Sequence, residues 1–132
     1  MKIIPIYASA GITGFESPAA EYKQSPLCLD DLLIEHPSAT FIGQAKGESM
    51  QGVGIFDGDI LVVDRQLTVK NNDVIVGCYN GEFVCKIIDT HNQQLLSANT
   101  DYEPALITTS EMFTIEGVVA RSIRCHRPAK FL

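Results

Sequence analysis

The sequence predicts a mainly β domain with one short helix near its N-terminus, preceded by an extended arm. From residue 41 onward, short β-branched or aromatic runs alternate with turn residues, which is typical of an all-β domain. Residues 1–26 are rich in Gly, Pro, Ser and Ala, so no long periodic element can form there. A chain of 132 residues accommodates one domain. We therefore assign residues 1–26 to the arm and residues 27–132 to the domain.

The first ten residues of the arm imitate a secretory signal, with Lys2 before a short apolar stretch and Ala8-Ser9-Ala10 after it. The apolar stretch is shorter than a signal requires and contains Pro5. No later segment has the ~20 apolar residues of a membrane span. We therefore expect a cytosolic protein without a membrane anchor.

A short helix is predicted in LCLDDLLIEHP, residues 27–37. Leu29, Leu32 and Leu33 recur at helical spacing, and Pro37 stops the pattern. No second helix follows at the spacing of a helix-turn-helix, so the usual DNA-reading unit of repressors is not expected.

The β-strands are predicted from runs bounded by turn residues. The Asn80-Gly81 pair predicts a two-residue hairpin, because a type I′ turn needs positive φ at both positions. Asp57-Gly58 predicts a turn before the second run. The runs are FIGQAKG, ILVVD, DVIVGCYN, EFVCKIID, QLLSAN and FTIEGVVARSIR.

The charge and the cysteine pattern disfavour nucleic acid, metals and other cofactors as ligands. Sixteen acidic and ten basic residues give a net charge of -6, which disfavours direct binding to phosphate backbones. The four cysteines form no CxxC pair, and no histidine lies at metal-ligand spacing, so neither a metal nor another cofactor is expected. Reduced cysteines agree with the cytosol.

The candidate nucleophile is Ser49, in the polar segment KGESMQG at residues 46–52. Catalytic groups concentrate in loops on rigid scaffolds. Gly47 and Gly52 would let the backbone turn so that N–H groups face a developing oxyanion. The same pattern also fits an ordinary turn serine.

A serine hydroxyl needs a nearby base to become a nucleophile. The three histidines lie in surface-type segments: His36, His91 and His126. Lys86 is more unusual, because it lies within a strand with Val84 and Ile88 on its own face. Burial lowers the pKa of a lysine and makes the neutral amine available as a general base. The alternative is a strand lysine whose ammonium reaches solvent.

Several segments together resemble the UmuD branch of the LexA-like self-cleaving serine proteases, whose fold is shared with bacterial signal peptidases. The resemblance extends from about Gly14 to near the C-terminus. It rests on a G-[DE]-S-M serine, a lysine 37 residues later, and the GD-x-x-x-VD box and hairpin between them. The segments are GFESPAAEY, LDDLLIEHPSAT, GESM, DGDILVVD, DVIVGCYNGEFVCK and EGVVARSIR.

The resemblance implies a LexA/signal-peptidase-like β domain with a Ser/Lys catalytic dyad. Ser49 would be the nucleophile and Lys86 the general base. Backbone N–H groups at Ser49 and Met50 would form the oxyanion hole. The substrate would be a bond in the protein's own arm.

The family cleaves before a Gly that is followed by an apolar residue and a Ser-Pro segment. Gly14 begins such a segment here, GFESP, so the aligned bond is Thr13-Gly14. The family prefers Ala or Cys where Thr13 stands and commonly has Pro where Glu16 stands. The alternative bond is Ala10-Gly11, which has the smaller residue but lacks the following GF.

By the same resemblance, cleavage follows contact with a RecA filament on single-stranded DNA in the SOS response. The processed homodimer then serves a UmuC-type Y-family translesion polymerase, without direct DNA or membrane binding. A second hypothesis is a non-enzymatic dimerisation and docking module derived from the C-terminal domain of a phage-type repressor. A third, a signal-peptidase-like enzyme acting on other proteins, is weakened by the missing membrane anchor.

Overall fold

The computed structural model describes residues 28–107 and 112–130 of a chain that separates into two compact units, Met1–Pro37 and Ser38–Leu132. In the first unit, helix α1 spans Leu29–Leu33 with Asp30 and Asp31 in its first turn, where carboxylates favour the helix dipole. The predicted helix is confirmed, but it ends at Leu33 because Ile34 is already extended. No helix in these described residues is long and apolar enough to cross a membrane.

The second unit contains a seven-stranded antiparallel sheet, which confirms the predicted mainly β fold. The strand order is β1-β2-β7-β3-β4-β5-β6. The strands are β1 Thr40–Gln44, β2 Ile60–Asp64, β3 Val74–Tyr79, β4 Glu82–Asp89, β5 Gln94–Leu96, β6 Ala105–Leu106 and β7 Phe113–Ile123.

Strand β7 lies between β2 and β3 and joins the two halves of the sheet. Its pairing shifts by a bulge opposite Val62/Val63 on one side and opposite Val76/Gly77 on the other. Gly117 of β7 packs so closely that a Cβ there would lie 2.7 Å from a methyl carbon of Val63. The bulges bend the long strand, and Gly117 lets it approach β2.

Apolar side chains form two clusters, and adjacent residues of β3 enter different ones. Val76 belongs to the first cluster, with Met50 and Leu61, whereas Ile75 belongs to the second, with Ile88 and Val118. Because successive side chains point to opposite faces, both faces of this strand are covered. Burial on both faces explains why β2 and β3 are continuous apolar runs in the sequence.

The predicted β-hairpin connects β3 to β4. Tyr79 pairs with Glu82, which leaves Asn80 and Gly81 as a two-residue loop, with φ angles of 51° and 86°. Positive φ at both positions confirms the predicted turn chemistry. The tight turn fixes the register of β4 against β3, so that Lys86 lies opposite Ile75.

Candidate active site

The segment with the candidate serine, residues 46–52, is named here the nucleophile loop. It follows β1, and Gly47 adopts a left-handed conformation with φ of 91°. The Gly47 N–H donates a 2.7 Å hydrogen bond to Oδ1 of Asp57. Met50, only 4% exposed, enters the first apolar cluster. The loop is therefore anchored at the residue next to Ser49.

A second segment, residues 97–99, holds the nucleophile loop from the other side, and we call it the support segment. Ala98 N–H donates to the carbonyl oxygen of Ser49 at 2.7 Å, and Gly52 N–H donates to that of Ala98 at 2.6 Å. Asn99 Nδ2 donates to the carbonyl oxygen of Glu48 at 3.0 Å. These three hydrogen bonds fix the backbone on both sides of Ser49.

A buried carboxylate stabilises the turn that leads out of the nucleophile loop. Asp59 is 3% exposed and receives two 3.0 Å hydrogen bonds from Arg124, through Nε and Nη2. It also accepts the Phe56 N–H at 2.8 Å. The bond from Arg124, more than that from Phe56, lowers the pKa of Asp59 against the opposing effect of burial. Ala45 N–H donates to the Asp59 carbonyl oxygen, which ties this turn to the start of the loop.

Lys86 lies in the middle of β4, is half-buried, and its amine contacts two other side chains. Nζ donates to Oγ of Ser97 at 2.8 Å and lies 5.4 Å from the ring centroid of Tyr102. Burial lowers the pKa of Lys86 below its ordinary value, against a smaller opposing effect of Cys85. Its neutral form is therefore populated at lower pH than that of a solvated lysine.

The residue before Lys86, Cys85, carries a thiol that could also act as a nucleophile. Burial raises the pKa of the Cys85 thiol to about 11. Because the thiolate is the reactive form of cysteine, Cys85 stays protonated and unreactive near neutral pH.

Ser49 and Lys86 line one cleft of about 430 Å³. Its remaining wall is largely apolar and includes Phe41, Leu61 and Val76. None of the described residues lining it is a histidine. An apolar wall excludes water and strengthens the polar interactions inside, which are suitable conditions for a serine activated by an amine.

The two candidate residues thus share a cleft, but among the described residues the hydrogen bond of Lys86 goes to Ser97 and not to Ser49. Catalytic hydrogen bonds are often long without substrate. Neither the Ser49 nor the Met50 N–H donates a hydrogen bond within residues 28–107 and 112–130. The bonds Thr13-Gly14 and Ala10-Gly11 lie outside the described residues.

Sequence reasoning missed Ser97 as a partner of Lys86. Ile87 pairs with Leu96, and one further step along both strands brings Ser97 opposite Lys86. This neighbour could have been found only from the register of β4 against β5. The polar connection THNQQ did not specify that register.

The comparisons with known proteins agree on one family. Residues 4–120 match the family described as Peptidase S24-like. MucA from Salmonella typhimurium is 37% identical over 125 residues, which cover 93% of this chain and 86% of MucA. ImpA from Shigella flexneri is 34% identical over 119 residues, covering 90% and 82%. SamA from Salmonella typhimurium is 35% identical over 120 residues, covering 90% and 84%.

Proposed function

Because the chain belongs to the Peptidase S24-like family, we propose that Ser49 and Lys86 form a dyad that cleaves the protein's own N-terminal arm. Family membership confirms the resemblance to LexA-like and UmuD-like proteins. It also supports a peptidase-like character in general. The observation that carries the dyad is that both side chains line one cleft while burial lowers the pKa of the lysine.

The proposed reaction is acyl transfer. The neutral amine of Lys86 takes the proton of Ser49 Oγ as that oxygen attacks the peptide carbonyl carbon. The resulting ammonium gives the proton to the leaving nitrogen as the C–N bond breaks. Water, deprotonated by the same amine, then hydrolyses the acyl ester and regenerates Ser49.

The nucleophile loop supplies groups for the charge that develops on the carbonyl oxygen. The N–H groups of Ser49 and Met50 have no acceptor among the described residues, which supports their proposed role as an oxyanion hole. The carbonyl of Ser49 is held by Ala98, so the adjoining peptide groups are oriented before substrate arrives. Such preorganisation stabilises the transition state.

The proposed substrate is the bond Thr13-Gly14, with Ala10-Gly11 as the alternative. Cleavage in the cytosol would be stimulated by a RecA filament on single-stranded DNA. The shortened homodimer would then serve a UmuC-type Y-family polymerase in SOS mutagenesis. The similarity to MucA, ImpA and SamA supports an accessory role of this kind.

Intact-mass spectrometry tests the proposal. Purified protein is incubated near pH 10, where an ordinary lysine with pKa of about 10.4 begins to be neutral, or with RecA, ATP and single-stranded DNA. We expect a product that lacks residues 1–13. Cleavage at the alternative bond leaves Gly11, Ile12 and Thr13 on the product, so its mass identifies the bond.

Ser49→Ala and Lys86→Ala should abolish the product. Two matched controls, Ser122→Ala and Lys70→Ala, replace exposed residues of the same types and should cleave like the wild type. An intact wild-type chain under both conditions, or an equal yield from Ser49→Ala, would contradict self-cleavage. Retained dimerisation would then favour the docking module.

A further inference from the structure

We infer that Ser97 is a positioning residue for Lys86, an inference that rests on the proposed dyad. Ser97 Oγ accepts a 2.8 Å hydrogen bond from Lys86 Nζ. Ser97 follows β5 directly and lies across from Lys86 by continuation of the Ile87 and Leu96 pairing. The sheet register therefore brings the hydroxyl to the amine.

The amine needs a positioning group because a lysine side chain has four flexible methylene carbons. A neutral amine has two N–H donors and one lone pair. A hydrogen bond from one N–H to Ser97 leaves the lone pair free to accept the proton of Ser49. The Tyr102 ring covers another side of the amine at 5.4 Å, which further restricts its rotation.

Ser97 belongs to the same support segment that holds the nucleophile. Ala98, the next residue, donates to the Ser49 carbonyl oxygen, and Asn99 donates to that of Glu48. Ser97 and Ala98 therefore contact the two halves of the proposed dyad, and Asn99 contacts the residue before Ser49. A change in the segment alters the position of the base and the nucleophile together.

The hydroxyl of Ser97 also stabilises the charged form of Lys86, because it accepts a bond from the ammonium. A methyl group in its place would remove that acceptor, and the pKa of Lys86 would fall further. Among the described residues, the other titratable groups around the amine are Cys85 on its own strand, Tyr102 after β5, and Lys46 in the cleft wall. The substitution leaves all three in place.

The test compares pH–rate profiles of self-cleavage for wild type, Ser97→Ala and Ser97→Thr, with Ser122→Ala as the exposed control. For Ser97→Ala we expect a plateau rate lower by about tenfold to a hundredfold, the effect of misplacing a reacting group. The midpoint of the profile should move to lower pH. Ser97→Thr keeps the hydroxyl and should restore most of the rate, while Ser122→Ala should match the wild type.

A plateau equal to or above that of the wild type would overturn the inference. So would a lower rate with an unchanged or raised midpoint, since a general loss of structure admits water and moves the pKa of Lys86 towards its ordinary value. Circular dichroism of each variant identifies one that fails to fold, and Ser97→Thr then decides the result.

An NMR titration of the Lys86 ε-carbon in the Ser49→Ala background separates this inference from the proposed function. It needs no cleavage, and a downward shift of the midpoint on adding Ser97→Ala supports the hydrogen bond. If the wild type does not cleave but this shift is seen, the proposed function fails while the contact stands. If the wild type cleaves and neither the rate nor the midpoint responds to Ser97→Ala, the inference alone fails.

Discussion

The two halves of the proposed dyad are held in different ways. Lys86 lies within β4, paired with Ile75 of β3 and next to Ile87, where the ladder to β5 begins, so many regular backbone hydrogen bonds share in fixing its Cα. Ser49 lies outside any strand, and its loop depends on a few bonds from distant residues, chiefly Ala98, Asn99 and Asp57. Lys86 is therefore positioned by a regular ladder of backbone hydrogen bonds, whereas Ser49 is positioned by a few individual hydrogen bonds.

This difference predicts where the site is sensitive. One hydrogen bond contributes about 1 kcal/mol net, and a ladder of many tolerates the loss of one. In the nucleophile loop each hydrogen bond holds a different residue, so the loss of one is not compensated by the others. Substitutions around the loop should therefore raise the activation free energy of cleavage by more than they lower the free energy of unfolding.

The largest effect is expected for Gly52→Ala. A Cβ at Gly52 would be forced against the carbonyl group of Ala98, which accepts the Gly52 N–H. Overpacking of this kind costs about 2 kcal/mol, and the displaced loop should slow cleavage about a hundredfold. Urea unfolding and cleavage assays measure the two effects.

The matched control for this change is Gly54→Ala. Gly54 has φ of 81° and open space around its Cα, so the variant meets only the cost of a left-handed residue, about 1 kcal/mol. Its cleavage rate should stay near that of the wild type. Equal rates for the two alanine variants would show that the contact with Ala98 does not position Ser49.

A smaller effect is expected for Asn99→Ala. The variant loses the bond to the Glu48 carbonyl oxygen and the bond that Asn99 Oδ1 accepts from the Asp101 N–H. Only the first reaches the nucleophile loop, so cleavage should slow about fivefold, as expected for one bond of about 1 kcal/mol. Single-turnover cleavage rates measure this loss. A cleavage rate equal to that of the wild type would contradict a role of this bond in holding the nucleophile loop.

Asn92→Ala is the control in the turn between β4 and β5, away from the nucleophile loop. Asn92 and, to a lesser extent, Gln94 donate to Asp89 and lower its pKa to about 2. Cleavage should be unchanged in the variant. A depressed carboxyl pKa contributes stability above the unfolded value of about 3.9, and that contribution is lost as pH falls towards 2. Between about pH 3.9 and pH 2 the free energy of unfolding should therefore fall less in the variant than in the wild type, as urea unfolding would measure.

The smallest expected effect is the contribution of Lys86 to the pH dependence of the free energy of unfolding. The pKa of Lys86 is lowered in the folded protein, so between that value and the ordinary value of about 10.4 the unfolded chain binds more protons. The parent should therefore gain stability as pH rises through this window. Lys86→Met should be more stable than its parent at neutral pH, and the difference should shrink towards pH 10.

This measurement uses urea unfolding in the Ser49→Ala background, so that no cleavage occurs at high pH. The common background also cancels the titration of groups that do not interact with Lys86. Cys85 is not among them, because burial raises its pKa and Lys86 lowers it by a smaller amount. A stability difference that does not vary with pH would contradict a lowered pKa of Lys86 in the folded protein.

The strands were predictable where the apolar run in the sequence has the same bounds as the hydrogen-bonded strand. The runs ILVVD and EFVCKIID are β2 and β4 in full, and Asn80-Gly81 specified the turn before β4. The nucleophile loop was recognisable as a polar segment between glycines. These features are encoded within a few neighbouring residues.

Features that depend on distant hydrogen bonds were not predictable. The run FIGQAKG extends beyond β1, because Ala45 bonds to Asp59 and Gly47 turns into a left-handed conformation. The run QLLSAN likewise exceeds β5, because its last residues leave the ladder and contact the nucleophile loop. Strand β6, of two residues, has no recognisable pattern.

The central place of β7 has a consequence for folding during synthesis. The serine side of the sheet, β1 and β2, and the lysine side, β3 and β4, can each pair before β7 is made. Strand β7 lies between them and follows all the other strands of the described residues. Non-local pairing of this kind is slow, and domains fold as their chain emerges from the ribosome. The sheet cannot join its two sides until residues 113–123 have been made, so the two residues of the proposed dyad cannot come together in a nascent chain before then.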